Sequence, residues 1–159
     1  MLDKVVSGGQ TGVDRGALDA ALDVGFSCGG FCPRGRRAED GPIDARYPLE
    51  EHASPSYPAR TRANVEGSDA TLVLTRGPVT GGSALTVDAA REHGRALLII
   101  DLERESEAGA ASAIASWLAR ERVRVLNVAG PRESGAPGIS AASCRVMTQV
   151  LLAARSTTE

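Results

Sequence analysis

The feature that most constrains this chain is a unit that occurs twice: a short apolar run, a glycine-rich turn at its carboxyl end, then residues at helical apolar spacing. The first copy runs from Leu2 to Val6, then Ser7-Gly8-Gly9-Gln10-Thr11-Gly12, then Val13, Ala17, Ala20, Ala21 and Val24. The second runs from Ala70 to Leu74, and Thr80-Gly81-Gly82-Ser83 leads into a helical stretch ending near His93-Gly94. A strand joined to a parallel neighbour needs a crossover, and a helix is the usual one. Further strands are expected at Phe26 to Phe31 (diluted by Gly29-Gly30), Ala96 to Ile100 and Val123 to Val128. Further helices are expected from Pro58 to Val65, Ala110 to Arg122 and Ile139 to Ala154. Strands alternating with helices imply an α/β fold with a mainly parallel sheet flanked by helices. A chain of 159 residues fits one such domain, here residues 1–155, with 156–159 read as a frayed tail. Residues 32–56 have little periodicity and read as a long functional loop.

Composition removes several classes. The net charge of −2 and pI near 5.7 argue against a general nucleic-acid binder. Aromatics at 3% supply neither a base-stacking platform nor an aromatic cage. No apolar stretch approaches the roughly 18 residues of a membrane span. The start, Met1-Leu2-Asp3-Lys4, lacks the regions of a signal peptide, so a cytoplasmic protein is expected. Cys28, Cys32 and Cys144 are odd in number and read as reduced thiols. His52 and His93 are remote from them in sequence, so no metal-ligand pattern emerges. Lys4 is the only lysine among 18 basic residues, and the arginines keep an anionic ligand in view.

In open α/β sheets ligands bind at the carboxyl ends of the strands. Residues 7–15, 32–44, 76–83 and 129–138 should gather there, and all four segments are rich in glycine and polar side chains. Gly8, Gly9, Gln10, Thr11 and Gly12 join a strand to a helix start, where backbone N–H groups favour an anion. Thr80, Gly81, Gly82 and Ser83 repeat the arrangement. The glycines of the first turn fit an ordinary tight turn equally well. Thr11 and Asp14 have the spacing of a capping box. Arg34, Arg36 and Arg37 are expected to meet the ligand's negative charge. Asp14, Arg15, Glu39 and Asp40 are expected to order the loop or touch the ligand's polar edge.

Ser7 to Asp19, together with Cys32-Pro33-Arg34-Gly35-Arg36-Arg37-Ala38-Glu39-Asp40-Gly41, closely resembles the molybdenum-cofactor carrier-like proteins. The likeness continues through Tyr47-Pro48-Leu49, Arg60 to Val65, Ser68 to Leu72 and Thr80 to Ser83. It implies a Rossmann-like three-layer fold of the LOG/SLOG superfamily, molybdenum cofactor (molybdopterin) as cargo, and a homo-oligomer, dimer or higher. Where LOG-type phosphoribohydrolases carry a catalytic Glu, the matching position here is Asp88, one methylene shorter. Binding of an anionic small molecule without turnover is therefore the expectation. The alternatives are a LOG-type nucleotide hydrolase, with Asp88 or Glu39 as its carboxylate, and a nucleotide-sensing regulatory domain.

Overall fold

The computed structural model describes residues 1–156. In chain order the elements are β1 (Lys4–Val6), α1 (Val13–Asp23), β2 (Cys28–Gly29), β3 (Phe31–Cys32), β4 (Arg37–Ala38), β5 (Gly41–Pro42) and β6 (Glu50–Glu51). They continue with α2 (Tyr57–Glu66), β7 (Ala70–Thr75), α3 (Gly81–Glu92), β8 (Ala96–Asp101), α4 (Glu107–Glu121), β9 (Val125–Ala129) and α5 (Ile139–Ser156). The central sheet has five strands in the order β2-β1-β9-β7-β8, and every pairing in it is parallel. The expected α/β architecture with a parallel sheet is therefore present. Ser156, expected in the tail, ends α5, and the rest of that tail lies outside the described residues.

Each element follows from local sequence. β7 (Ala-Thr-Leu-Val-Leu-Thr) is buried at all six positions, as a strand covered on both faces must be. Pro58 sits in the first turn of α2, where its missing N–H costs nothing. α4 begins before the expected Ala110, because the Ser106 hydroxyl accepts the Gly109 N–H and caps the helix there. The expected strand over Phe26 to Phe31 divides at Gly30, whose φ is +122° and which lies against the Ser7 backbone. β2 stays in the central sheet, while β3 turns away to pair with β6. The long loop of residues 32–56 thus contains β6 and the β4–β5 hairpin.

Helices α1, α4 and α5 pack together over one face of the sheet, and α2 and α3 cover the other. The larger core joins Val5, Leu72, Leu74, Leu126 and Val128 of the sheet to Ile114, Ile139 and Leu151 of the helices. Burying each such side chain contributes about 1.5–3 kcal/mol. α1 and α5 approach closely at Gly16, where a Cβ would stand 2.4 Å from the Ser140 carbonyl oxygen. The chain moves from β1 outward to β2, then returns past β1 to build β7, β8 and β9 on its other side. That reversal opens a crevice at the carboxyl ends of β1, β9 and β7.

Candidate functional site

The crevice holds a cavity of about 640 Å³. Its walls are the turn after β1 (Gly8, Gln10), the start of α1 (Asp14), the start of α3 (Thr80 to Ser83) and the end of β9 with the following loop (Asn127 to Arg132, Ser134 and Gly135). The remaining wall is α2, which contributes Tyr57, Arg60, Thr61 and Asn64. The two glycine-rich turns therefore lie at one edge of the sheet and line one cavity.

The two turns differ in what their N–H groups do. In the first, the Gln10 N–H donates to Asp14 Oδ2 at 3.3 Å, and the Gly8 N–H adds an electrostatic pull on the same carboxylate. The Gly9 N–H reaches Ser7 Oγ at 3.4 Å, and the Thr11 N–H reaches Gln10 Oε1 at 3.0 Å. The Val13 N–H donates to the Pro131 carbonyl at 3.2 Å. The capping box expected from Thr11 and Asp14 does not form: Gly12 is the N-cap residue and no side chain caps α1. The Thr11 hydroxyl instead donates to Glu39 and accepts the Glu133 N–H. Asp14 alone closes back onto the turn. Its side chain occupies the cradle where a ligand anion was expected.

The second turn is open. α3 starts at Gly81 with no side-chain cap on its N-terminus, and Gly81 and Gly82 are exposed on the cavity wall. Uncapped N–H groups at a helix start carry partial positive charge toward whatever faces them. Ser83 and Thr86 are buried behind them, with the Thr86 hydroxyl donating to the Gly82 carbonyl at 3.1 Å.

Opposite lies Arg60, which the sequence reading left without a role. Its guanidinium rests on Gly8: a Cβ there would fall 1.5 Å from Nη1. Its Nε is buried without a hydrogen-bond partner, and Nη2 donates to Thr61 Oγ1 at 3.3 Å. A signal for this wall exists in the sequence. Tyr57, Arg60, Thr61 and Asn64 form an i, i+3, i+4, i+7 stripe on α2, the spacing usually held by core residues, yet filled here by polar ones. Asn64 fixes the helix by clamping the Phe31 backbone, accepting its N–H at 2.8 Å and donating to its carbonyl at 3.0 Å.

The arginine run lies elsewhere. Arg34 and Arg37 are exposed and outside the cavity wall. Arg36, at φ +52°, turns its guanidinium back onto the loop, donating to the carbonyls of Ile43, Leu49, Asp44 and Tyr47. Arg15 pairs with Asp40 at 2.6 Å and donates to the Gly9 carbonyl at 3.1 Å. Glu39 accepts from Ser134 Oγ at 2.5 Å, from the Ser134 N–H at 3.1 Å and from the Thr11 hydroxyl. The hydroxyls of Ser134 and Thr11 hold its carboxyl below the usual range. These residues tie the β4–β5 hairpin to the outside of the first turn.

Both carboxylates considered for hydrolysis thus stand apart from the cavity. Glu39 is engaged as described, and Asp88 is exposed on α3 and not on the wall. Asp14 is the acidic side chain that does line it, with only 6% of its surface exposed. Burial pushes its carboxyl up to about 6, against the opposing pull of Arg60 and the Gln10 and Gly8 N–H groups. His93 joins Ala89 to Glu66 on the surface, and His52 packs edge-on against Phe31. The three cysteines are free. Among the described residues no group of three or more His, Cys, Asp or Glu is placed to hold a metal ion, and no helix is long and apolar enough to cross a membrane.

Residues 5–151 match the model of the circularly permutated YpsA SLOG family. The fold is similar to the crystal structure of a protein from Syntrophus aciditrophicus SB described as a putative molybdenum carrier protein. That similarity has a TM-score of 0.92 and 42% sequence identity, covering 94% of this chain and 95% of the other. Among curated proteins none matches this chain.

Proposed function

The chain belongs to the circularly permutated YpsA SLOG family, and from that premise we propose that it binds a phosphorylated nucleotide-like or pterin-like small molecule, with molybdenum cofactor as its cargo. The observation that carries this reading is the polarity of the cavity wall. The open N-terminus of α3 and the under-used guanidinium of Arg60 supply donors for a phosphate group. The Tyr57 ring, 46% exposed on the wall, offers an aromatic face for a planar ring system. The volume falls within the roughly 300–1,000 Å³ usual for small-molecule sites. The similar Syntrophus protein is described as a molybdenum carrier, which is in keeping with molybdenum cofactor as cargo here.

Native mass spectrometry of the protein purified from its own host tests the reading. Retained mass matching a pterin phosphate supports it. Release of free chain, together with no heat on titration of a pterin phosphate or a nucleoside monophosphate, overturns it. Arg60→Ala should weaken binding about tenfold or more, the effect of losing one charged hydrogen bond. We further propose a cytoplasmic homo-oligomer that engages no nucleic acid; light scattering that reports a monomer at micromolar concentration counts against the assembly.

One observation favours a second reading, hydrolysis of a nucleoside monophosphate at its N-glycosidic bond. A carboxyl poised near 6 inside a cavity is suited to proton transfer near neutral pH, and Asp14 is such a group. Free base released at more than about 1 s⁻¹, and lost in Asp14→Asn, would establish turnover.

A further inference from the structure

A carboxylate inside a cavity that takes an anion is an electrostatic contradiction. Asp14 is the sole acidic side chain on the cavity wall among the described residues. Its Oδ2 lies 3.0 Å from the point where a Gly8 Cβ would stand, and Arg60 Nη1 lies 1.5 Å from the same point on its own side. The two charges therefore converge above Gly8, yet they form no direct ion pair. Arg60 keeps a buried Nε without a partner. The Gln10 amide, which would otherwise face a ligand, is held by the Asp14 carboxylate, and the Gly8 amide is drawn toward the same charge.

We propose that Asp14 is a proton-operated stand-in for the ligand's oxyanion. Ionised, it holds the Gln10 amide, draws on that of Gly8 and offsets Arg60; protonated, it gives these groups up to a tetrahedral oxyanion, which enters together with a proton. The inference rests on the anion-binding reading of the cavity. Proton and anion are coupled because a second negative charge beside Asp14 raises the cost of ionising it, and the linkage is reciprocal.

The surroundings leave Asp14 as the titrating group. Facing it are Arg60 from α2 and Arg15 from α1, the latter engaged by Gly9 and Asp40. From the loop after β9 comes Arg132, also on the cavity wall and 3.9 Å from Glu39. These groups are guanidiniums, which stay charged across the working range. The Asp14 carboxyl itself, raised to about 6 by burial, changes state where the coupling can act.

Inorganic sulfate is the probe, because it stays a dianion between about pH 5 and pH 8 while the protein titrates. Calorimetric titration of the full chain should show affinity about tenfold higher near pH 5 than near pH 7.5. Asp14→Asn should bind with no pH dependence, and Arg60→Gln should lose binding about tenfold or more at each pH. Wild-type titrations near neutral pH in two buffers of different ionisation heat should report net proton uptake, a readout that requires no variant. Wild-type affinity that ignores pH with no proton uptake overturns the coupling, and so does an Asp14→Asn protein that keeps the wild-type slope. If sulfate and a nucleoside monophosphate bind at no pH, the anion reading itself fails. If they bind well at every pH, only the role of Asp14 fails.

Discussion

Two arginines do different work: Arg36 shapes a loop outside the cavity, and Arg60 lines it. Arg36 gives its guanidinium to four carbonyls of its own loop and so organises residues 36–49. Arg36→Ala should lower stability by about 1–3 kcal/mol in urea melts and leave sulfate affinity unchanged in calorimetry. Arg60 reaches the cavity because residue 8 has no side chain. Gly8→Ala places a methyl group where Nη1 now sits, and the flexible guanidinium is the part that yields. This variant should keep its unfolding free energy within about 1 kcal/mol of wild type while losing about tenfold in anion affinity. The sequence made the residue types plain but not their directions. The Arg34–Arg37 run stood out by density, and Arg36 was turned aside by a backbone bend that no spacing announces. Arg60 was visible only as one member of a polar stripe on α2.

Among the elements, the buried strands were the most legible, since β7 and β8 each carry an apolar run framed by turn residues. The two-residue strands were not, because β3 is defined by its pairing with Glu50 and Glu51, far along the chain. The two glycine-rich turns read alike in sequence, yet one is filled by Asp14 and the other is open. Which of them is free depends on a side chain two residues beyond the first turn and on the Pro131 carbonyl from the other end of the chain. The α1–α5 contact depends similarly on one small residue. Gly16→Ala sets a methyl against the Ser140 carbonyl oxygen at 2.4 Å and Ser143 Cβ at 3.0 Å, so the helices must separate. A loss of about 1–3 kcal/mol is expected in thermal or urea unfolding, since neither contact is the end of a flexible side chain.

For the molecule as a whole, Asp14 sets a pH dependence of stability with an unusual sign. Its folded carboxyl titrates near 6, above the ordinary value of 3.8, so the folded state binds more protons than the unfolded state between those limits. Stability from this group is therefore full at low pH and is lost as pH rises toward 6. Relative to wild type, Asp14→Asn should gain about 2 kcal/mol between pH 4 and pH 7, with the difference flat above that, in urea melts at stepped pH. Glu39, Asp40 and Glu133 act in the opposite sense, since their depressed carboxyls add stability that is lost on acidification. The sheet order has its own bearing on how the molecule comes into being. β1 lies between β2 and β9, and β9 is the last strand among the described residues. At a synthesis rate of about 5–20 residues per second, on the order of ten seconds separates the emergence of these two neighbours from the ribosome. For that interval one edge of β1 is bare, open to any passing strand, and the cavity cannot close until β9 has been made.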